Sequence, residues 1–284
     1  MKKVGIAACS NGLEKDAIGE IQKLQDFLKS QGRESVCSSC IYCAEGPYSG
    51  TGRQRAEALM KLYSDPQIED IFDVSGGDMA NEILDFLDYD KIQSSRARLW
   101  GYSDLTAVLN AIYAKTGKPG VLYSPRNLVR GDCQEQQRQW FTQGDALFSP
   151  QFQLVQGEKM EGIVVGGNIR CFLKLAGTSY FPELKDRVLL LEARSGKVPQ
   201  MVAYLSQLRS CGAFRKVSGI LLGTFTQMEK EGSTPEMLTL VKEFAGPKIP
   251  IAITRDIGHG PDSRAILIGG RIHLEKSPGA SSDL

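Results

Sequence analysis

The sequence has very little histidine, no long apolar run and no excess charge of one sign. Its 284 residues include two His, and 34 Lys plus Arg stand against 33 Asp plus Glu. A net charge of +1 gives no general basic face to displace counterions from phosphates, so we expect no nucleic-acid partner. No run approaches the roughly 20 apolar residues of a membrane span, and the apolar run at 4–9 is shorter than the about 7–15 residues of a signal-peptide core. We therefore expect a cytoplasmic protein with no membrane partner.

Potential metal ligands are also few. Among the seven cysteines, Cys37, Cys40 and Cys43 have the C-x-x-C-x-x-C spacing used by three ligands of an iron–sulfur cluster. No Cys-Pro follows nearby as a fourth ligand, and neither His lies close in sequence. The alternative is a strand with small, partly buried thiols. An odd cysteine count without a signal peptide favours reduced thiols, and we expect no metal.

Strand-like and helix-like segments alternate along the first half of the chain. A buried strand at 4–8 is followed by Asn11, an N-cap candidate with Glu14 as capping-box partner, and then by a helical apolar face at 17–28. Further strands are predicted at 35–42, 68–74 and 98–102, and further helices at 55–63, 79–87 and 105–115. This alternation predicts βαβ units and a parallel sheet.

A second alternating block follows a less regular middle. Its predicted strands are at 188–191, 217–222 and 249–253, and its predicted helices are at 169–175, 199–211 and 234–244. A Gly269-Gly270 pair between two alternating runs at 265–274 predicts a hairpin. We therefore predict an α/β protein of two domains, an N-terminal one at 1–145 and a C-terminal one at 160–284.

A glycine-containing strand-to-helix turn could expose Ser103 as a nucleophile. Leu99-Trp100 runs into Gly101-Tyr102-Ser103-Asp104 and then into a helix. Such a turn presents a hydroxyl at the carboxyl end of the strand, and the helix N-terminus supplies free N–H groups for an oxyanion. Gly101 fits the first glycine of G-x-S-x-G, whereas Leu105 stands at the second. Taken alone, a serine at this position is more often a helix N-cap.

A nucleophilic serine needs a base, and with two histidines the choice is narrow. His259 lies in a glycine-flanked loop after the strand at 249–253, and loops at strand ends commonly carry catalytic groups. His273 lies inside an alternating strand run, where a polar face explains it. His259 is therefore the better candidate, although a turn histidine could also bond only the local backbone.

The base in turn needs a carboxylate that orients it. Glu192 directly follows the buried run Leu189-Leu190-Leu191, and a carboxylate at the end of a core strand needs a partner. A protonated histidine would satisfy it. A salt bridge to Arg170 or Arg194 would do the same.

Several further segments occur with these three, in order, over most of the chain. Upstream of Ser103 they are Arg55-Ala56, Asp65-Pro66-Gln67-Ile68, Gly76-Gly77-Asp78 and Leu87-Asp88-Tyr89-Asp90. Downstream they are Gly166-Gly167-Asn168, Ala176-Gly177-Thr178, Leu190-Leu191-Glu192, Gly219-Ile220-Leu221-Leu222-Gly223 and Gly258-His259-Gly260. In this combination the sequence resembles the LD-carboxypeptidase family of serine peptidases, which includes the microcin C immunity peptidases.

The resemblance implies a Ser–Glu–His triad that works without a cofactor, with Ser103 as nucleophile, Glu192 as orienter and His259 as general base. It also implies an oxyanion hole of backbone N–H groups from Gly77, Asp78 and Asp104. The implied architecture is an N-terminal Rossmann-like, doubly wound parallel sheet and a C-terminal α/β domain with a β-barrel-like core. The triad would lie between these domains, and the protein would be a homodimer.

Three functions remain open on this basis. The first is an LD-carboxypeptidase that releases D-Ala from a murein tetrapeptide, with Arg126, Arg130 or Arg194 on the free carboxylate. The second is a microcin C immunity-type peptidase that cleaves aminoacyl or peptidyl nucleotide amides, with Trp100 or Tyr102 stacked on a base. The third is a non-catalytic protein that binds a small molecule in a Rossmann-like cleft.

Overall fold

The computed structural model describes residues 2–276, which form twelve strands, ten α-helices and four short 3-10 helices. The strands are β1 Lys3–Ala7, β2 Glu34–Cys37, β3 Ile68–Asp73, β4 Arg98–Gly101, β5 Gly120–Leu122, β6 Gln153–Gln156, β7 Lys159–Asn168, β8 Arg187–Ala193, β9 Gly219–Phe225, β10 Ile251–Ile253, β11 Ile266–Ile268 and β12 Arg271–Glu275. The α-helices are α1 Ile18–Ser30, α2 Gly52–Ser64, α3 Tyr89–Ser94, α4 Thr106–Thr116, α5 Gln134–Gln143, α6 Ile169–Leu173, α7 Val198–Ser210, α8 Ala213–Lys216, α9 Thr226–Glu231 and α10 Met237–Ala245. The 3-10 helices are Lys15–Ala17, Ala80–Phe86, Ser103–Leu105 and Pro125–Leu128.

The N-terminal half forms the predicted parallel sheet. Its strand order is β11-β5-β4-β3-β1-β2; β1 to β5 run parallel to one another, and the edge strand β11 is antiparallel to β5. The carboxyl ends of β1, β3 and β4 therefore meet at one edge of the sheet, which is where doubly wound sheets hold their ligands. The loops that follow those three strands carry Asn11, Gly77 and Ser103 to this edge.

The C-terminal half forms a second sheet with the order β12-β7-β8-β9-β10-β6. Strands β7 to β10 are parallel, while β12 and β6 are antiparallel strands at the two edges. The sheet curls into a half-barrel, so the predicted fold class is confirmed. Residues 188–191 in β8 are fully buried, as expected for a central parallel strand that is covered on both faces. Glu192 lies one residue beyond this run.

The chain crosses between the sheets near its end, and the hairpin predicted at 265–274 is wrong. β11 pairs with β5 in the first sheet, and β12 pairs with β7 in the second. The turn between them is fixed to β7, because Gly269 N–H donates to Val164 O and Val164 N–H donates to Gly270 O. The glycine pair thus connects two sheets. The predicted C-terminal domain at 160–284 contributes one strand to the first sheet, and residues 277–284 of that range lie outside the described residues.

Buried polar bonds join α4, the helix after Ser103, to β7 of the second sheet. The Asn110 amide is buried, donates to Gly166 O at 2.8 Å and accepts from Gly166 N–H at 2.9 Å. Asn168 N–H donates to Thr106 Oγ1 at 3.0 Å. Gly166 has a φ of +99°, and a Cβ there would lie 2.2 Å from Leu190 O. Only glycine fits this approach of β7 to β8, and its backbone makes the bonds that hold α4 against the second sheet.

Three predicted elements differ in detail. The strand predicted at 35–42 ends at Cys37 in β2, with Cys37 exposed and Cys40 buried. The helix predicted at 79–87 is a 3-10 helix over Ala80–Phe86. Helix α1 begins at Ile18 after a 3-10 turn, so the Asn11–Glu14 capping box is not formed. Within residues 2–276, no helix is long and apolar enough to cross a membrane.

Candidate active site

Ser103 lies in the tight connection between β4 and α4. Its φ is +55°, a left-handed conformation that residues other than glycine rarely adopt and that often marks functional sites. A Cβ on Gly101 would lie 2.7 Å from Leu105 Cβ, so this glycine permits the turn to close against Leu105. Leu105 stands where G-x-S-x-G has its second glycine. Because the Leu105 side chain lies against residue 101, that residue must be glycine. The turn has the strained elbow form that presents a hydroxyl at a strand end.

Glu192 and His259 meet at the carboxyl end of β8. Glu192 is fully buried, and its Oε2 lies 2.8 Å from His259 Nδ1. The two arginines considered as alternative partners, Arg170 and Arg194, do not pair with it. The Nδ1–Oε2 contact is at hydrogen-bond distance but is not aligned as a hydrogen bond, and Nε2, the other ring nitrogen, is buried without a partner among residues 2–276. An imidazole held through Nδ1 by a carboxylate can accept a proton at Nε2.

Glycines let the His259 loop approach β9 closely. Thr224 N–H donates to Ile257 O at 2.9 Å. A Cβ on Gly223 would lie 2.4 Å from Ile257 O, and a Cβ on Gly258 would lie 1.8 Å from Thr224 Oγ1. Neither contact leaves room for a larger residue. Close packing of the loop thus fixes the backbone that carries the imidazole.

Tyr102 packs beside this pair, whereas Trp100 lies in the core. The Tyr102 ring makes an edge contact with the His259 ring at 4.9 Å between centroids. Burial, followed by the charge of nearby Glu192, raises the pKa of the Tyr102 phenol well above its ordinary value, so the hydroxyl stays neutral. Trp100 is 3% exposed, and its Nε1 donates to Asp70 Oδ1 at 2.7 Å. Its indole therefore has no open face on which a base could stack.

The turn after β3 carries the Gly77 and Asp78 N–H groups considered for the oxyanion hole. Asp78 N–H donates to Asn11 Oδ1 at 3.0 Å, so it is already occupied. Gly77 N–H has no partner among the described residues. Gly77 has a φ of +126°, and a Cβ there would lie 2.1 Å from Asn11 Oδ1. Gly77 therefore remains the available donor of this turn.

Asn11 was predicted to cap a helix, but it bonds the turn after β3. Besides accepting from Asp78, it donates its own backbone N–H to Gly76 O at 3.2 Å. It bonds the turn instead of capping a helix. Its position after the first strand of a parallel sheet could have indicated this contact, because the ends of neighbouring parallel strands meet at one edge.

Asp104, the residue after Ser103, has a fully buried carboxylate. Its Oδ2 accepts from Ser10 Oγ at 2.7 Å and from Ala80 N–H at 2.8 Å. These bonds join the ends of β1, β3 and β4. The backbone N–H of Asp104 has no partner among residues 2–276, so the side chain anchors the turn while the N–H stays available.

A pocket of about 380 Å³ contains Ser103, His259, Tyr102 and Gly77 in its lining, together with residues 11–14. Arg126, Arg130 and Arg194 also line it. Arg126 is bound by Glu20 through two bonds, at 2.5 Å and 2.6 Å. Its guanidinium is thus engaged within the protein. The pocket receives side chains from both sheets. Among residues 2–276, neither Arg130 nor Arg194 is bound by a carboxylate as Arg126 is.

Both halves of the chain are similar to known proteins. The family described as the LD-carboxypeptidase N-terminal domain matches residues 4–123, and the LD-carboxypeptidase C-terminal domain matches residues 161–274. The chain is 26% identical to the Microcin C7 self-immunity protein MccF of Escherichia coli, over 88% of this chain and 83% of that protein. It is also 26% identical to the murein tetrapeptide carboxypeptidase of Pseudomonas aeruginosa, over 80% of this chain and 79% of that protein.

Two solved structures show the same fold. MccF in complex with glutamyl sulfamoyl guanosine is 22% identical, with a TM-score of 0.85 over 96% of this chain and 93% of that one. The muramoyltetrapeptide carboxypeptidase from Oxalobacter formigenes is 21% identical, with a TM-score of 0.82 over 98% of this chain and 96% of that one. At these identities the likeness concerns the fold.

Adjacent glycines in the turn after β3 give a matched test of its geometry. Gly77→Ala should lower the free energy of unfolding by about 1–3 kcal/mol, because a side chain must adopt a strained φ and displace Asn11. Gly76→Ala should change it little, since no atom lies within 4 Å of a Cβ built there. Urea denaturation of both variants measures the difference. Equal losses in the two variants would contradict this account of the turn.

Proposed function

The chain belongs to the LD-carboxypeptidase family of serine peptidases, and on that premise we propose that Ser103, Glu192 and His259 form its catalytic triad. The observation that carries the proposal is the buried Glu192–His259 pair, 2.8 Å apart, in the pocket that Ser103 also lines. A carboxylate inside the protein is costly without a partner, so its pairing with the histidine of this pocket supports a catalytic role.

The triad hydrolyses an amide in two steps. Ser103 Oγ attacks the carbonyl carbon while its proton passes to His259 Nε2, and Glu192 stabilises the imidazolium. The oxyanion accepts hydrogen bonds from the N–H groups of Gly77 and Asp104. His259 then protonates the leaving amine. A water molecule, deprotonated by the same imidazole, hydrolyses the acyl-enzyme and regenerates Ser103.

The substrate proposed first is a murein tetrapeptide that loses its C-terminal D-Ala. Burial of Trp100 removes one of the two aromatic residues considered for stacking on a nucleotide base, and Tyr102 packs on His259. Both points favour a peptide over a nucleotide amide. The immunity-type activity stays as the second candidate, because the chain is 26% identical to MccF over 88% of its length. We further expect a homodimer.

Product analysis by mass spectrometry on two substrates separates these functions. The wild type should release D-Ala from a murein tetrapeptide, and Ser103→Ala should lose at least about 1,000-fold in kcat because the nucleophile is absent. An aminoacyl sulfamoyl-adenylate is the parallel substrate. Cleavage of the adenylate alone would make the protein an immunity-type peptidase. If neither is cleaved and a serine-reactive probe leaves Ser103 unlabelled, the protein is a binding protein instead.

Two arginines support recognition of a free carboxylate. Arg130 and Arg194 have no carboxylate within 4 Å among the described residues, although both line the pocket. Burial, then the guanidinium of Arg126 and more weakly that of Arg194, lower the pKa of Arg130, while Glu20 opposes them. Like charges held this close repel each other, and an anionic group between them would relieve the repulsion. A C-terminal carboxylate beside the scissile amide meets that need.

Charge removal at these positions tests the carboxylate site. Arg130→Gln and Arg194→Gln should each raise KM for a peptide acid by about tenfold, since each removes a charge-assisted hydrogen bond. KM for the matching C-terminal peptide amide should stay unchanged. Arg215→Gln, at an exposed arginine of α8 outside the pocket, is the control. If acid and amide respond alike, the two arginines do not bind the carboxylate.

A further inference from the structure

Two cations from the second sheet reach across to the loops that hold the nucleophile and the oxyanion turn. Arg170 lies in α6 and Lys174 directly follows it, and α6 itself begins where β7 ends. The Arg170 guanidinium pairs with the Asp78 carboxylate and donates to Gly77 O at 3.3 Å. Lys174 Nζ donates to Asp78 O at 2.7 Å and also contacts the Asp104 carboxylate. Both cations therefore bind the N-terminal half at its reactive edge.

These contacts fix two consecutive peptide groups of the oxyanion turn from both sides. In the first, Asp78 N–H donates to Asn11 and Gly77 O accepts from Arg170. In the second, Met79 N–H donates to Ser10 Oγ at 3.3 Å and Asp78 O accepts from Lys174. Neither peptide can rotate without losing a bond at each end. The Gly77 N–H belongs to the preceding peptide, whose Gly76 O accepts from Asn11 N–H at 3.2 Å, and it joins the two fixed peptides at the Gly77 Cα.

Lys174 also compensates the charge beside the nucleophile. The Asp104 carboxylate is fully buried, and Lys174 is the cation that contacts it. Removing one member of a buried pair leaves an unpaired charge, which the surrounding structure must move to hydrate or neutralise. Such a movement would displace the Asp104 N–H and, through the adjacent peptide, Ser103.

We infer that Arg170 and Lys174 are positioning residues that hold the Gly77 and Asp104 N–H groups in place for the transition state. They touch neither Ser103 nor the Glu192–His259 pair, and neither lines the pocket. The inference rests on the proposed function, since it assigns how the two oxyanion donors are held. By this inference, the half of the protein built on the second sheet positions the oxyanion donors and also supplies the base.

Steady-state kinetics on the cleaved substrate test this role. Lys174→Met should lower kcat by about 10- to 100-fold with a much smaller change in KM, because misplaced donors weaken binding of the transition state more than that of the substrate. Lys174→Arg should keep most of the activity because it retains the cation. Arg170→Gln should lower kcat less, since its partner Asp78 is exposed. Lys248→Met, at an exposed lysine of the same half, is the control.

Thermal unfolding of each variant separates positioning from loss of fold. If Lys174→Met does not fold, the double variant Lys174→Met with Asp104→Asn removes both buried charges, and it should fold with the same loss of kcat. If the wild type is labelled at Ser103 and turns over substrate, while Lys174→Met and Arg170→Gln both keep full kcat, the inference is wrong. The proposed triad would then be unaffected. A wild type without Ser103 labelling would instead overturn the proposed function.

Discussion

Ser103 is carried by the first sheet and the Glu192–His259 pair by the second, so the site depends on how the two sheets dock. The docking contact near Ser103 is a reciprocal pair of hydrogen bonds between the Asn110 amide and Gly166. It fixes α4, which starts three residues after Ser103, against the strand that precedes α6. Buried bonds of this kind are costly to leave unmade, and they specify one arrangement of the two halves.

The charged groups around the site differ in whether they have a partner of opposite charge. Two buried carboxylates on the reactive side contact a basic side chain: Glu192 contacts His259, and Asp104 contacts Lys174 together with neutral donors. Exposed guanidiniums at the pocket are compensated unevenly, since Glu20 binds Arg126 and leaves Arg130 and Arg194 free of a carboxylate within the described residues. Two guanidiniums without a carboxylate partner therefore remain at the pocket, where the proposed substrate has its carboxylate.

The fold class could be predicted because it depends on local signals, and the candidate triad, which stays a prediction, was also drawn from such signals. Alternating strand and helix patterns define a parallel sheet, and a carboxylate after the apolar run of β8 demands a partner. What failed depended on tertiary contacts. Asn11 has the composition of an N-cap but bonds a turn 65 residues away, in Gly76. The Gly269-Gly270 pair has the composition of a hairpin, yet each flanking strand pairs with a different sheet.

The reaction of Ser103 with a fluorophosphonate probe tests most directly the claim that the second sheet supplies the base. The probe forms a phosphonate ester with the serine and releases fluoride, and intact-protein mass spectrometry gives the rate for the wild type and for His259→Ala. The wild type should react at least about 100-fold faster, because the variant has no imidazole to accept the serine proton. Equal rates for the two proteins would contradict the account.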